Sequence, residues 1–421
     1  MWLLEALFGT LLLVVGIVSV YALRHYSFTL NRLFGRQRHP YVDVQLGPWP
    51  TVDVLIPAHN EEAVLEHLLD ALLASSYPPD RLRIVPVNDS STDGTGKILD
   101  EYAWRFPGLV VPIHRAAGAG GKAAALKAAT EITHGEVLIV FDADYTPGTD
   151  LLKQLVAPFF DPEVGAVMGR VVPLNVGRTL LTRLLDLERS GGYQVDQQAR
   201  MNLRLVPQYG GTVGGVRRTA LEEIGGWRVD TLTEDTDVTY RLVLSGWQVV
   251  YQNRSECYEE VPESWDVRIR QIRRWAAGHN EVMWRYGFPL LRTFSTGSAW
   301  QRLDGLLLLG VYAVAPLLVL GWVISLVLLY SGYPVPAGVL MVLAFTMYAT
   351  LGNSAAFYEV AVAARLDGSR NRIRLLPLLI VGYVVSIVAV SRSLFHPSAF
   401  PRRGRAGVVW EKTARYRKSS R

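Results

Sequence analysis

Residues 137–148, Val-Leu-Ile-Val-Phe-Asp-Ala-Asp-Tyr-Thr-Pro-Gly, constrain this chain more than any other stretch. The run Val137 to Phe141 is apolar and rich in β-branched residues, the composition of a strand covered on both faces. It stops on two carboxylates, Asp142 and Asp144, and Thr146, Pro147 and Gly148 then break the strand. A strand buried on both sides requires helices above and below it. In such open α/β sheets, ligands gather beyond the carboxyl ends of the strands. Two hard oxygen ligands there suit Mg2+ or Mn2+, with a phosphate completing the coordination. Taken alone, Asp-x-Asp is equally the sequence of a solvated turn.

The neighbouring sequence supports the layered reading. Thr51 to Pro57 is a first buried strand, and Val64, Leu65, Leu68, Leu69, Leu72 and Leu73 then recur at helical spacing. Leu82 to Val87 is a second strand, leading into Asn88-Asp89-Ser90-Ser91-Thr92-Asp93-Gly94, where Asp93 can cap the next helix. Leu109 to Ile113 is a third. Gly118 to Gly121 and Lys122 open an Ala-rich helix running to about Thr133, before the strand at Val137. Strand alternating with helix predicts a parallel, Rossmann-like sheet over about residues 50–145. No GxGxxG follows the first strand, so a dinucleotide fingerprint is absent. Residues 150–255 mix α and β. They hold a glycine-rich segment, Gln208 to Gly215, and a helix opened by Leu232-Thr233-Glu234-Asp235-Thr236-Asp237, with acids at its positive end. Gln248 to Gln252 predicts a short strand. Ser264 to Trp284 predicts a long amphipathic, interfacial helix carrying Arg268, Arg270, Arg273 and Arg274 with Trp265, Trp275 and Trp284.

The two ends read as membrane. Of 421 residues, 50% are hydrophobic and 19% charged, more apolar than an ordinary soluble protein, and the apolar excess lies outside residues 40–300. Leu3 to Leu23 is almost continuously apolar and long enough to span a hydrocarbon core of ~30 Å. It has no positive n-region and no small-residue cleavage site, which predicts an uncleaved anchor. Arg24, His25, Arg32, Arg36, Arg38 and His39 follow it, a cytoplasmic flank that puts the N-terminus outside. Three more apolar segments, about Leu306–Leu329, Ala337–Ala364 and Leu375–Leu394, approach or exceed the ~20 residues of a spanning helix. Asn353 and Glu359, inside the second, are expected to face a cavity or a partner helix. The arginines from Arg365 to Arg374 and the basic residues from Arg402 to Arg421 predict cytoplasmic segments. Four full crossings would contradict that, so one segment should stop short, and the last, ending near Arg392, is the first suspect. The net charge of +5 lies beside the apolar segments, as at an inner leaflet. The middle has no stripe of basic and aromatic residues for nucleic acid. A single cysteine, Cys257, excludes an intrachain disulfide.

Four groups fall in order at the ends of predicted elements: Asp89; Asp142 and Asp144; Glu234 and Asp235; Gln271, Arg274 and Trp275. The order D, DxD, TED, QxxRW resembles the inverting family-2 glycosyltransferases, and within them the membrane-embedded processive branch of cellulose, chitin, hyaluronan and poly-N-acetylglucosamine synthases. The resemblance covers about residues 50–290. Any one of these motifs is weak, and their conjunction between apolar segments is the signal.

That resemblance implies an α/β fold, a GT-A (Rossmann-like) glycosyltransferase domain inserted between transmembrane helices. It implies an N-terminal transmembrane helix at 1–25 and a cytoplasmic GT-A domain with interfacial helices at 26–290. A transmembrane region at 291–397 and a basic cytoplasmic tail at 398–421 complete the division. A multi-pass protein of the plasma (inner) membrane follows. The donor it implies is a UDP-sugar of the UDP-GlcNAc or UDP-glucose type, and the acceptor a growing β-linked polysaccharide. A homo-oligomer or an export partner subunit could complete an exit path. Asp89 would accept from the uracil ring, Lys122 would contact phosphate, and Asp144 with Asp142 would hold nucleotide and Mg2+ or Mn2+. Asp235, beside Glu234, would be the base, with Asp237 its nearby competitor. Gln271, Arg274 and Trp275 would border the acceptor and the diphosphate. Trp410, Thr413 and Arg415 resemble a gating segment. For each acid the plain alternative is helix capping or an Asx turn, and for the tryptophan helix an interfacial anchor. Two other functions remain open at this point: a non-processive ceramide or diacylglycerol glycosyltransferase, which shares D, DxD and (Q/R)xxRW and carries few helices, and a non-catalytic nucleotide-sugar-binding scaffold of an export complex.

Overall fold

In the computed structural model, all residues are described except 42–44, 117–120, 293–296, 350–355, 369 and 394–421. The first apolar stretch forms one helix, α1 (Trp2–Phe34), continuing past its apolar part through Arg24 and Arg32. The predicted alternation follows as β1 (Val52–Ala58), α2 (Leu65–Leu73), β2 (Leu82–Asp89), α3 (Thr95–Arg105), β3 (Ile113–Arg115), α4 (Lys122–Ile132) and β4 (Val137–Val140). β1 pairs in parallel with β2 and β4, and β2 in parallel with β3. Every residue of β1 and β4 is buried, which accounts for their apolar sequence, and the one polar exception, Asp53, is paired with Arg83 at 2.9 Å. Leu109 to Ile113 forms a strand only in part. Val110 makes an isolated bridge to Ile84, and the ladder resumes at Ile113, because Pro112 between them has no N–H to give. Gly94, rather than Asp93, occupies the N-cap of α3; Asp93 caps from one residue further out, its Oδ1 accepting from the Thr95 backbone N–H at 3.0 Å.

The second half departs from a parallel sheet. It runs β5 (Thr146–Pro147), α5 (Leu151–Val156), β6 (Val164–Pro173), α6 (Leu180–Ser190), a π-helical turn (Gly191–Gln197), α7 (Gln198–Asn202), β7 (Gly214–Arg217), α8 (Arg218–Glu223), α9 (Glu234–Leu244) and β8 (Gln248–Glu259). The strands make one eight-stranded sheet in the order β3-β2-β1-β4-β7-β6-β8-β5. β7 is antiparallel to both β4 and β6, and β6 is parallel to β8. The glycines before Val216 are part of β7. A Cβ on Gly214 would lie 2.3 Å from the Val167 carbonyl oxygen, and one on Gly215 2.4 Å from Ile139 Cδ1, so only glycine lets β7 fit between its neighbours. β8 runs seven residues beyond the predicted Gln252. A register shift against β6 after Gly169 bulges out the polar residues 253–255, which breaks the sequence pattern of a strand.

The chain then forms α10 (Trp265–Arg292), α11 (Ala299–Leu309), α12 (Val314–Tyr330), α13 (Ala337–Ala349), α14 (Phe357–Leu366) and α15 (Leu379–Ser393). Among the described residues three helical stretches, Trp2–Phe34, Val311–Tyr330 and Asn371–Ser393, are long and apolar enough to cross a membrane. The last apolar segment, the expected exception, is one of them. Ala337–Ala364 contributes instead two shorter helices, α13 and α14, on either side of residues 350–355. The molecule is thus a Rossmann-like α/β domain of the GT-A kind, flanked by apolar helices of membrane-spanning length.

Candidate active site

The ends of β4, α4 and α9 and the middle of α10 meet at one cavity of about 360 Å³. Asp142 and Asp144 reach it directly beyond β4, where the parallel strands end. The Asp142 backbone N–H donates to Thr212 Oγ1 at 3.1 Å, which ties that end to the segment before β7. Lys122, the first residue of α4, extends its Nζ to 2.6 Å from Asp142 Oδ1 and 3.7 Å from Glu234 Oε1. Glu234 and Asp235 open α9, where the helix dipole favours acids. Gln271, Arg274 and Trp275 face the cavity from α10, with Gln271 Oε1 accepting from Arg268 Nη1 at 2.9 Å. The Arg189 and Arg268 guanidiniums each lie 5.3 Å from the Trp275 ring.

Two glycines allow this closeness. Gly211 has φ +71°, and a Cβ there would stand 2.9 Å from Asp235 Cβ. On α10, a Cβ at Gly278 would lie 2.3 Å from Thr233 Cγ2, which holds the start of α9 in place. Gly278→Ala should therefore cost about 1–3 kcal/mol of stability by overpacking. It should lower the melting temperature of the purified chain and displace the pair Glu234–Asp235.

The cavity sits deep enough to withdraw solvent from its acids. Burial pushes Glu234 up to about 7, with Lys122 pulling it down and Asp235 adding to the rise. Burial also raises Asp235, against the opposing pull of Lys122 and the hydrogen bond from the Thr236 backbone N–H. Asp237 is not a wall residue. Its oxygens accept from Arg241 Nε at 2.7 Å and the Tyr286 hydroxyl at 2.7 Å, so it anchors α9 to α10. Asp89 does not line the cavity either. It is buried behind it, Oδ1 accepting from Arg115 Nη1 at 2.6 Å and Oδ2 from the Gly121 backbone N–H at 3.3 Å. Trp410, Thr413 and Arg415 lie outside the described residues.

Other wall residues carried no motif. Arg189, Tyr193 and Asp196 come from α6 and the π-helical turn, Glu259 from the end of β8 and His279 from α10. A π-helical turn leaves no period in the sequence, though it is common at functional sites. Glu259 links two of these pieces, accepting from the Tyr145 hydroxyl at 2.7 Å and pairing with Arg189 at 2.9 Å. Arg24 and His25, expected in a solvent-facing basic flank, are buried. Arg24 Nε donates to Asp304 Oδ1 at 2.7 Å, and His25 Nδ1 lies 2.8 Å from Glu359 Oε1. Glu359 thus faces α1.

Among the described residues, two places could hold a divalent ion. His25, Asp196 and Glu359, all buried, bring one ligand atom each within 4.8 Å of one another. There, however, Arg24 and Arg200 already approach Asp196, at 3.5 and 2.6 Å. The other place is Asp142 and Asp144, an all-oxygen pair of the kind Mg2+ and Mn2+ prefer. Lys122 Nζ already pairs with Asp142 at 2.6 Å, as the arginines do with Asp196, so what favours this place is its all-oxygen donor pair at the strand end.

Comparison with known proteins agrees with this geometry. Residues 50–278 match the family described as "Glycosyltransferase like family 2". The chain is 36% identical over 239 residues to "Probable glycosyltransferase YdaM" of Bacillus subtilis (strain 168), covering 56% of this chain and 57% of that protein. It is 32% identical over 291 residues to "Beta-monoglucosyldiacylglycerol synthase" of Nostoc sp., covering 69% of this chain and 61% of that one. The chain therefore spans about three fifths of the length of these relatives. A mannosyltransferase from Pyrobaculum calidifontis, solved with GDP-Man and Mn2+, superposes with a TM-score of 0.60 at 20% identity over 92% of this chain and 99% of its own, and shares the fold. These similarities overturn the expected place in the processive polysaccharide-synthase branch, since the synthases among these relatives are named for a monoglucosyl lipid.

Proposed function

The chain belongs to the glycosyltransferase-like family 2, and on that footing we propose that it transfers a single sugar from a UDP-hexose to the free hydroxyl of a membrane lipid of the diacylglycerol kind. The observation that carries this reading is the lining of the cavity. Asp142, Asp144 and Lys122 share it with Arg24 and His25 of α1, with Leu308 of α11 and with Val311 and Tyr312 between α11 and α12, where apolar helices begin. A water-soluble donor and a lipid acceptor can so meet at Asp235.

Each residue then has a physical task. Asp142 and Asp144 would hold Mg2+ or Mn2+, and the similar mannosyltransferase was solved with Mn2+. When bound, the ion supplies neutralisation of the charge that builds on the departing diphosphate. Lys122 and the Arg274 fork contact phosphate oxygens, and Asp89 orders the α4 end of the pocket through Gly121. Trp275 offers an apolar face to a sugar ring. Asp235 accepts the proton of the lipid hydroxyl as that oxygen bonds to the anomeric carbon, the carbon–diphosphate bond breaks and UDP leaves, inverting the configuration. α1, α12 and α15 are long and apolar enough to cross a membrane, and the positive charge that follows the apolar run of α1 assigns residues 26–290 to the cytosol.

Asp235 works ionised, and burial holds its pKa above the ordinary carboxylate range. Activity is therefore present at higher pH and lost as pH falls through that raised value. Lys122→Gln removes a charge that pulls this pKa down and should move the acid limb of kcat/KM to higher pH. A pH series on both proteins checks the sign. The proposal itself is tested by UDP release from a panel of donors with and without diacylglycerol in detergent micelles. Release that depends on the lipid and on one UDP-hexose supports it, and release indifferent to lipid rejects it.

A further inference from the structure

Seven buried side chains of the cavity wall have a polar atom without a hydrogen-bond partner among the described residues: Arg24 Nη2 of α1, Asp196 Oδ1 of the π-helical turn and His279 Nδ1 of α10, and with them Arg200 Nε, Thr231 Oγ1, Thr233 Oγ1 and Glu259 Oε1. The first three come from three separate elements and are 8%, 4% and 8% exposed. An unmet buried polar group costs about 1–3 kcal/mol; Asp196 Oδ1 has Arg24 Nη1 at 3.5 Å, and Arg24 Nη2 and His279 Nδ1 are left for a polar ligand to meet. We propose that this wall seats the head of the acceptor, that Arg24, Asp196 and His279 hold it by hydrogen bonds, and that the head is uncharged. The proposal rests on the lipid-acceptor reading above and adds the residues and the charge of the head.

The charge follows from the pairing. Arg24 meets Asp304 at 2.7 Å and Asp196 at 3.5 Å, and Arg200 meets Asp196 at 2.6 Å and Asp304 at 3.8 Å. Two cations are balanced by two anions, which leaves no surplus positive charge for a phosphate. The whole cavity wall carries nine carboxylates against five lysine and arginine side chains, so an anionic head would meet repulsion. The His279 ring is neutral, because burial lowers its pKa to about 4, with Arg200 adding to the fall. Its Nε2 lies 3.3 Å from Gln208 Nε2 and 3.3 Å from Thr236 Oγ1, and its ring packs edge-on to Tyr312. That leaves Nδ1 to meet a hydroxyl or an ester oxygen, while Nε2 of the same ring lies against Thr236, the residue after Asp235. Arg24 directly follows the apolar run of α1, so the seat lies at the level of the membrane surface. Acyl chains would leave past Leu308, Val311 and Tyr312.

The test uses the full chain in nanodiscs with UDP-hexose and Mg2+, offering diacylglycerol, phosphatidic acid or a polyprenyl phosphate. Diacylglycerol should be labelled at least about a hundredfold faster than either phosphate lipid. His279→Ala should raise KM for diacylglycerol about tenfold, the worth of one buried hydrogen bond, with KM for the donor unmoved and His279→Gln recovering part of the loss. Preference for a phosphate lipid, an unmoved lipid KM in His279→Ala, or an equal rise in donor KM would overturn the proposal. UDP release with no lipid labelled would overturn the lipid-acceptor reading and this one with it, whereas labelled phosphate lipid overturns this one alone.

Discussion

Asp235→Asn should lower kcat by about 10²–10⁴-fold, the worth of a positioned general base, while KM for the donor stays near its original value. Asparagine keeps the shape of the side chain and can still accept the Thr236 backbone N–H, now 2.7 Å from Asp235 Oδ1. The fold should therefore persist, and melting curves of the two proteins should coincide. What is lost is a carboxylate that takes up a proton. Glu234 is a poor substitute, since its Oε1 lies 3.7 Å from Lys122 Nζ and burial pushes its pKa up to about 7. Asp237 is held by Arg241 and Tyr286 outside the cavity. Steady-state turnover at saturating donor and lipid measures the effect. A variant retaining more than about a tenth of the activity would move the base elsewhere, and full function in the cell would favour the scaffold reading.

Asp144→Asn should be nearly as damaging through a different route. A divalent ion at a leaving group contributes several kcal/mol of transition-state stabilisation, on the order of 10³-fold or more in rate. Removing one of its two carboxylates should raise the Mg2+ or Mn2+ concentration needed for half-maximal turnover and lower the plateau. A chelator should abolish activity in the parent, and added ion should restore it. The buried cluster of His25, Asp196 and Glu359 is the competing ion site. If chelation silences the enzyme while Asp144→Asn leaves the ion titration unchanged, the ion works there and not beyond β4.

Much of the first half of the fold was legible because its strands are buried on both faces. Val52–Ala58 and Val137–Val140 have no exposed residue, so the apolar runs mark the strand limits to within one residue. The second half was harder to read. β7 is short and built on Gly214 and Gly215, which from sequence alone mark a turn. β8 hides behind its polar bulge at 253–255. In the site, the acids at the ends of β4 and α9 were readable because strand and helix ends place side chains predictably, and the cavity wall includes Asp142, Asp144, Glu234 and Asp235 but not Asp237. Asp89, expected at the uracil ring, has its carboxylate off the cavity wall, on Arg115 and Gly121. His279, Asp196 and Arg24 were invisible as site residues. They come from three distant segments, and only tertiary packing brings them together. Arg24 even carried a misleading signal, since a cation just after an apolar helix normally meets lipid headgroups, and this one meets Asp304.

The account turns on a single transfer to lipid, and the mass of the product tests it most directly. The purified full chain in nanodiscs, given UDP-glucose, Mg2+ and diacylglycerol, should yield diacylglycerol heavier by one hexose, with one UDP released per lipid modified. A ladder of species carrying successive hexoses, or a polymer formed without any lipid, would contradict it.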